Sequence, residues 1–405
     1  MQHDSGQPFS PISHRPIAGR TILQIIPELS AGGAERTTID IAAALAQAGA
    51  RALVASEGGR LVSELQAVGG VWIPFPAKTK NPISMFLNSR RLARIIRNEG
   101  VDIIHARSRA PAWVAYGAAR LTKTPFVTTY HGAYSGNSSF KLRYNSIMAR
   151  GDAVIANSHF TAGLITRLYP SATDHLRVIH RGTDFRRFHN GSVDPARVRK
   201  LRESWGVAPD ERIVLLAARL TNWKGQKVLI QAARLLKERG LLDTKFILAG
   251  DDQGRSAYVA ELDQMIESFG LKGIVCRVGH CTDMPAALSA ATVVTVPSTE
   301  PEAFGRSAVE AQAMGTPVIV SNLGAVPETV LAPPDVEPQA RTGWRVPPGD
   351  AEALAKALET ALNLGATARD ALSHRAISHV KRHFSLEHMC EQTLDIYDSL
   401  LEHRL

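Results

Sequence analysis

Short apolar runs recur along the chain, each followed by a glycine-bearing loop and then by a segment whose apolar positions fall three and four apart. Residues 21–27 (TILQIIP) read as a strand, 28–33 as a loop, and 34–48 as a helix. Residues 50–56 and 71–75 are further strands around a short helix at 61–68. A helical period over 83–99 feeds strands at 103–105, 126–130 and 153–157. The pattern then pauses. Residues 177–180 are strand-like, and 181–194 is a polar stretch broken by Gly182, Asn190 and Gly191. It resumes with strands at 213–217, 245–249, 275–278 and 293–297, separated by helices at 225–239, 257–269 and 284–290. Strands alternating with helices make βαβ units and a parallel sheet covered on both faces. The expectation is an α/β chain of two doubly wound halves, residues 20–190 and 191–385. A final helix within 386–405 follows a polar break and can pack back on the N-terminal half. In such sheets, ligands sit outside the carboxyl ends of the strands.

Composition narrows this picture. A chain of 405 residues exceeds one comfortable core, and 44% hydrophobic with 21% charged residues is the balance of a globular protein. No apolar stretch reaches the roughly 18 to 20 residues that span a bilayer. Residues 1–19 are polar, lack an apolar signal-type core, and read as a loose, flexible N-terminal arm. Three cysteines, Cys276, Cys281 and Cys390, are odd in number and lack paired metal-ligand spacing, so a cytoplasmic address is expected. The net charge of +9 asks for an anionic partner: nucleic acid, a membrane surface, or a phosphorylated small molecule. Only 6% of residues are aromatic and they do not cluster, which argues against a nucleic-acid platform. No repeat of 20 to 50 residues is present, which excludes a solenoid.

Chemistry concentrates in the second half. Residues 293–297 form a strand, 298–305 a loop broken by Pro301, and 306–314 a helix stopped by Gly315 and Pro317. Within this strand–loop–helix lies Glu302-Ala-Phe-Gly-Arg-Ser-Ala-Val-Glu310. A carboxylate in the loop can accept hydrogen bonds from sugar hydroxyls, and one on the helix from the hydroxyls of a ribose. The helix N-terminus between them suits a phosphate. Two glutamates eight apart recur often by chance, so spacing alone decides nothing.

Several segments together carry a resemblance. The Glu302–Glu310 segment resembles the E-x7-E motif of the retaining glycosyltransferases of family 4, which have the GT-B fold. Ala218-Arg219-Leu220-Thr221-Asn222-Trp223-Lys224-Gly225 is similar to that family's G-R-L-x-x-x-K-G, with alanine at the first glycine. Gly32-Gly33-Ala34-Glu35 resembles its glycine-rich first loop, and Tyr130-His131-Gly132 its H-G element. Asn157-Ser158-His159-Phe160 and Arg181-Gly182-Thr183-Asp184 are similar to further landmarks, the second departing from N-G-V-D at Arg181 and Thr183. Gly324-Ala325-Val326-Pro327-Glu328 resembles G-G-x-P-E with alanine as its second residue, which leaves a close backbone approach at Ala325 in question. The resemblance spans about residues 21 to 350.

It implies a GT-B architecture of two Rossmann-like domains facing a central cleft. It implies transfer of a hexose-type sugar from a UDP- or GDP-linked donor to a glycan or lipid-linked acceptor, as in cell-envelope polysaccharide or lipopolysaccharide synthesis. Arg219 and Lys224 would stabilise the departing diphosphate, whose charge grows in the transition state. Glu302 would orient the donor sugar and Glu310 the ribose. Gly32, Gly33, Phe304, Gly305 and Arg306 would touch the donor, Gly250 and Gly279 would lie near the base, and His131 would face the sugar. No carboxylate stands as an obvious nucleophile, which favours a front-face route in which the leaving phosphate helps deprotonate the acceptor. No Asp-x-Asp sits at a strand end, since Asp251 and Asp252 are adjacent, so neither a metal nor a cofactor is expected beyond the nucleotide sugar. An epimerase or a non-catalytic scaffold of the same fold are the competing readings. Lys78, Lys80, Arg90, Arg91, Arg94 and Arg97, with Lys141, Arg143 and Arg150, suit an acceptor or anionic membrane at the inner face.

Overall fold

The computed structural model describes residues 15–30, 32–132 and 138–402; most of the expected N-terminal arm lies outside them. The chain divides into two compact units. One runs to His180 and takes in the chain from Glu387 on; the other is Arg181–Leu386. The polar stretch after 180 thus belongs to the second unit, where Thr183 and Ser385 form a parallel bridge.

In the first unit, seven parallel strands are β1 (Thr21–Ile25), β2 (Arg51–Ser56), β3 (Val71–Pro74), β4 (Ile103–Ala106), β5 (Phe126–Tyr130), β6 (Ala153–Ala156) and β7 (Leu176–Val178). Their order is β3-β2-β1-β4-β5-β6-β7, so the direction of winding reverses between β1 and β4. The second unit has β8 (Arg212–Ala217), β9 (Thr244–Ala249), β10 (Val275–Gly279), β11 (Val293–Val296), β12 (Val318–Ser321) and β13 (Trp344–Val346). The order there is β10-β9-β8-β11-β12-β13, with the reversal between β8 and β11.

Sheets covered on both faces bury their strands along the whole length, and β1, β4, β5, β6, β11 and β12 are buried end to end. In β8, Ile213 and Leu215 join the core on one face while Val214 and Leu216 join the other. This is the two-residue alternation of a strand with helices on both sides. The helix Gln226–Glu238 supplies one cover, burying Val228, Leu229, Ala232, Ala233 and Leu236 at helical spacing.

The helix Leu386–Glu402 belongs to the first unit and is held there by polar groups. Ile17 N donates to Asp398 Oδ1 at 2.8 Å, and Arg15 pairs with Asp395 at 2.8 Å. Deeper, the Tyr397 hydroxyl meets His105 Nδ1 at 2.5 Å, and His105 Nε2 meets Thr129 Oγ1 at 2.7 Å. Arg107 donates twice to Gln24 Oε1, at 2.9 and 2.5 Å, and Gln24 Nε2 donates to the Thr38 carbonyl. Burial holds His105 well below the usual histidine range and pushes the Tyr397 phenol up to about 12.

A pH dependence follows. His379, in the second unit, is held down to about 4, mainly by burial and then by the neighbouring His383. His105 is depressed by burial, then by Arg107 and His131. Both groups stay neutral in the folded chain while their unfolded counterparts take up protons below about pH 6.5. Stability should therefore be full above that value and fall as pH drops toward about 4, the value for His379. Urea unfolding at several pH values reads this, and His379→Gln should flatten the decline. A midpoint that rises on acidification would contradict it.

Candidate functional site

The site residues of the second unit lie on the loops that leave the carboxyl ends of β8, β9, β11 and β12, around the point where the winding reverses. At such a point, neighbouring loops turn to opposite faces and leave a crevice.

The first loop runs from Ala218 to Gly225. Leu220 is buried and anchors it, its amide donating to the Asp251 carbonyl at 3.0 Å. Arg219 stays exposed, with Gln253 Oε1 as its side-chain partner at 3.5 Å. A single turn, Asn222–Lys224, then brings Lys224 round, and Gly225 opens the following helix at φ +78°. That helix buries Gln226, whose amide donates to the Arg219 carbonyl at 3.0 Å and whose oxygen accepts from Tyr258.

Two glycines set how closely these loops meet. A Cβ on Gly250, after β9, would lie 1.8 Å from the Ala218 carbonyl oxygen. A Cβ on Gly225 would lie 1.9 Å from that of Pro297, in the loop after β11. No side chain fits either position. The amide of Thr299 closes the second contact by donating to the Trp223 carbonyl at 2.8 Å.

The loop after β11 carries Glu302. Its Oε1 accepts from Ser298 Oγ at 2.7 Å and forms an ion pair with Lys224 Nζ. Both side chains are largely buried, at 12% and 17% exposure. No other hydrogen bond falls on the carboxylate among the described residues, so Oε2 remains as an acceptor. The backbone of Glu302 is held as well. Its carbonyl accepts from the Ala325 amide at 2.9 Å, and a Cβ on Gly324 (φ +69°) would lie 2.5 Å from that oxygen. The close approach in this segment is therefore at Gly324, and Ala325 fits its buried position without strain.

Phe304 is buried and meets Phe384 edge to face, with centroids 5.6 Å apart. Gly305, at φ +86°, caps the helix Arg306–Ala313. Ser307 Oγ donates to the Ala217 carbonyl at 3.1 Å, fixing the helix start over the end of β8. Arg306 Nη2 and Glu310 Oε1 pair at 2.7 Å, one turn apart on this helix. The helix N-terminus thus lies at the end of β8, in the segment that also carries Glu302 of the Lys224–Glu302 ion pair.

The remaining predicted residues lie in the first unit. Gly32 caps the helix Gly33–Gln47 at φ +149° and leaves space that Glu35 folds into. His131 follows β5 directly, half-buried, close enough to His105 to help depress its basicity. Ser158 caps the helix His159–Leu168, its Oγ accepting from the Thr161 amide at 3.1 Å.

Three features were not read from sequence. Ser298 sits four residues before Glu302 in the same loop, a spacing that could have flagged it. The Lys224–Glu302 pair joins residues 78 apart and left no local signal. Lys78, counted with the basic cluster, is engaged by Glu28 at 2.5 Å and Glu57 at 3.9 Å.

The chain is similar to known proteins over most of its length. The profile of Glycosyltransferase Family 4 matches residues 31–187, and that of Glycosyl transferases group 1 matches 198–379. A D-inositol 3-phosphate glycosyltransferase of Xylanimonas cellulosilytica is 30% identical over 325 residues, 76% of this chain and 74% of that one. A crystal structure of a glycosyltransferase from Rickettsia africae superposes with a TM-score of 0.85 at 34% identity, covering 95% of this chain and 99% of that one. The Anabaena protein HepE in complex with UDP-glucose superposes at 0.79 with 28% identity, covering 94% and 99%.

Proposed function

The chain belongs to glycosyltransferase family 4, and we propose that it moves a hexose from a UDP- or GDP-linked donor to a hydroxyl of a glycan or glycolipid, with retention. The observation that carries this reading is Glu302, whose Oε1 is fixed by Lys224 and Ser298 while Oε2 is left to accept from a sugar hydroxyl. A carboxylate oriented in this way holds the donor without becoming a nucleophile. Arg219, exposed on the loop after β8, and the amides at Gly305 and Arg306 meet the diphosphate as its charge grows. Glu310 takes the ribose. From the resemblance, His131 acts on the transferred sugar, and Gly32 and Gly33 belong to the donor site. Lys224 supports the reaction in two ways, by positioning Glu302 and by adding positive charge.

The step needs no divalent ion or cofactor on this reading, because cations and helix amides supply the stabilisation. We place the enzyme in the cytoplasm, meeting a lipid-linked acceptor of cell-envelope synthesis at the inner face of the plasma membrane. Among the described residues, no helix is long and apolar enough to cross a membrane. A phosphorylated polyol is the second acceptor reading, supported by the relatives named for D-inositol 3-phosphate and by the net charge of +9.

A ligand that binds only the folded state raises the melting temperature according to its affinity. UDP-glucose, UDP-galactose, UDP-N-acetylglucosamine and GDP-mannose should therefore separate in a thermal-shift series, with one nucleotide clearly stabilising. No shift with any of them would remove the donor assignment. NMR of the product should show the donor's anomeric configuration, and turnover should survive EDTA.

A further inference from the structure

The helix Pro82–Asn98 presents two unlike faces. With about 100° between successive residues, positions 83, 86, 87, 90, 94 and 97 fall on one stripe. The opposite side carries Asn88, Ser89, Leu92, Ala93 and Ile96, all buried. On the outward stripe Ile83 is 72% exposed, and Phe86 and Leu87 are each 57% exposed. Arg90, Arg94 and Arg97 continue it toward the helix end, with Arg91 at its margin. Single exposed apolar residues are ordinary on a protein surface; three on adjacent turns make a patch.

The arginines are not consumed by the protein's own acids. None of Arg90, Arg91, Arg94 and Arg97 pairs with a carboxylate among the described residues, and nearby Glu99 is taken by Arg51 at 2.7 Å. Arg90 instead lies 4.5 Å over the Phe86 ring, and Arg97 donates to the Leu121 carbonyl at 3.2 Å. The first turn of the helix carries no acidic residue.

We infer that this face docks the enzyme on an anionic lipid bilayer, with Ile83, Phe86 and Leu87 entering the acyl boundary and the arginines meeting lipid phosphates. The inference rests on the membrane-side acceptor reading above and adds the surface that serves it. Apolar residues beside a run of cations match the two layers of a bilayer surface. A second copy of the chain suits the face poorly, because a two-fold contact would bury the arginine rows of both copies in one interface with no acidic residue of that face to offset them. Nucleic acid suits it poorly too, since Ile83 and Leu87 offer bases nothing to stack on.

The test is co-sedimentation of the full chain with vesicles of phosphatidylcholine containing about 30 mol% phosphatidylglycerol, against phosphatidylcholine alone. Binding should need the anionic lipid. Arg90→Glu with Arg94→Glu should weaken it roughly tenfold or more. Ile83→Ser, Phe86→Ser and Leu87→Ser together should abolish the part that persists at high salt. These residues are surface positions, so both variants should keep the wild-type melting temperature and the wild-type thermal shift with nucleotide sugar. No binding to the anionic vesicles overturns the proposal, as does wild-type binding by both variants. A dimer in light scattering that the serine variant dissociates also overturns it, in favour of a second copy. If nucleotide binding fails in the wild type while vesicle binding holds, the donor reading falls and the docking face stands.

Discussion

Glu302→Gln is expected to lower sugar transfer by about a hundredfold to a thousandfold, the range seen when one preorganised electrostatic contact is lost from an active site. Glutamine keeps the volume and an acceptor for Ser298 Oγ, which now donates to the carboxylate at 2.7 Å. It removes the charge that holds Lys224. The loss should appear mainly in kcat, because the interaction strengthens as the sugar gains positive character. Lys224→Met should lose a comparable factor, and the double variant little more than either single one, since the two side chains act as a unit. Initial rates with the donor that gives the largest thermal shift measure all three. Wild-type turnover in Glu302→Gln would end the assignment of this residue. Full additivity in the double variant would show that Lys224 and Glu302 act separately.

The legible part of this protein was the part written in periods. Strands such as 126–130 appear at Phe126–Tyr130, and 225–239 appears as Gln226–Glu238, because burial on a sheet forces the pattern locally. The helix Arg109–Thr122 escaped, its alanine-rich face giving little contrast between inward and outward positions. Arg219, Lys224 and Glu302, in loops after strands, and Glu310, on the helix Arg306–Ala313, could be named because their segments resemble the family's motifs. Their partners could not. Lys224 and Glu302 meet because β8 and β11 are neighbours, and that adjacency exists only once the sheet is wound. The same holds for Tyr397, which reaches His105 across 292 residues of sequence. Glycine roles were half legible: Gly324 and Ala325 were seen to matter, but which one touches the Glu302 backbone depends on register.

Gly225→Ala tests the closest of these contacts and should have the largest effect on folding. Two costs add. At φ +78°, alanine pays about 1–2 kcal/mol for the left-handed backbone. Its Cβ would also lie 1.9 Å from the Pro297 carbonyl oxygen, well inside contact, so the loops bearing Lys224 and Glu302 must separate. Overpacking of this kind costs about 1–3 kcal/mol more. Gly240→Ala isolates the first cost: Gly240 has φ +87°, and nothing lies within 4 Å of its would-be Cβ. Urea unfolding should therefore show Gly240→Ala mildly destabilised and Gly225→Ala destabilised by about twice as much or more. Activity should part them further. Gly240→Ala should keep wild-type rates in conditions where it is folded, whereas Gly225→Ala should lose rate even when fully folded, because a spread of about an ångström misplaces the Lys224–Glu302 pair. Equal losses in the two variants would mean that backbone strain alone explains the glycine. The juxtaposition of the two loops would then have to be held by something other than the missing side chain.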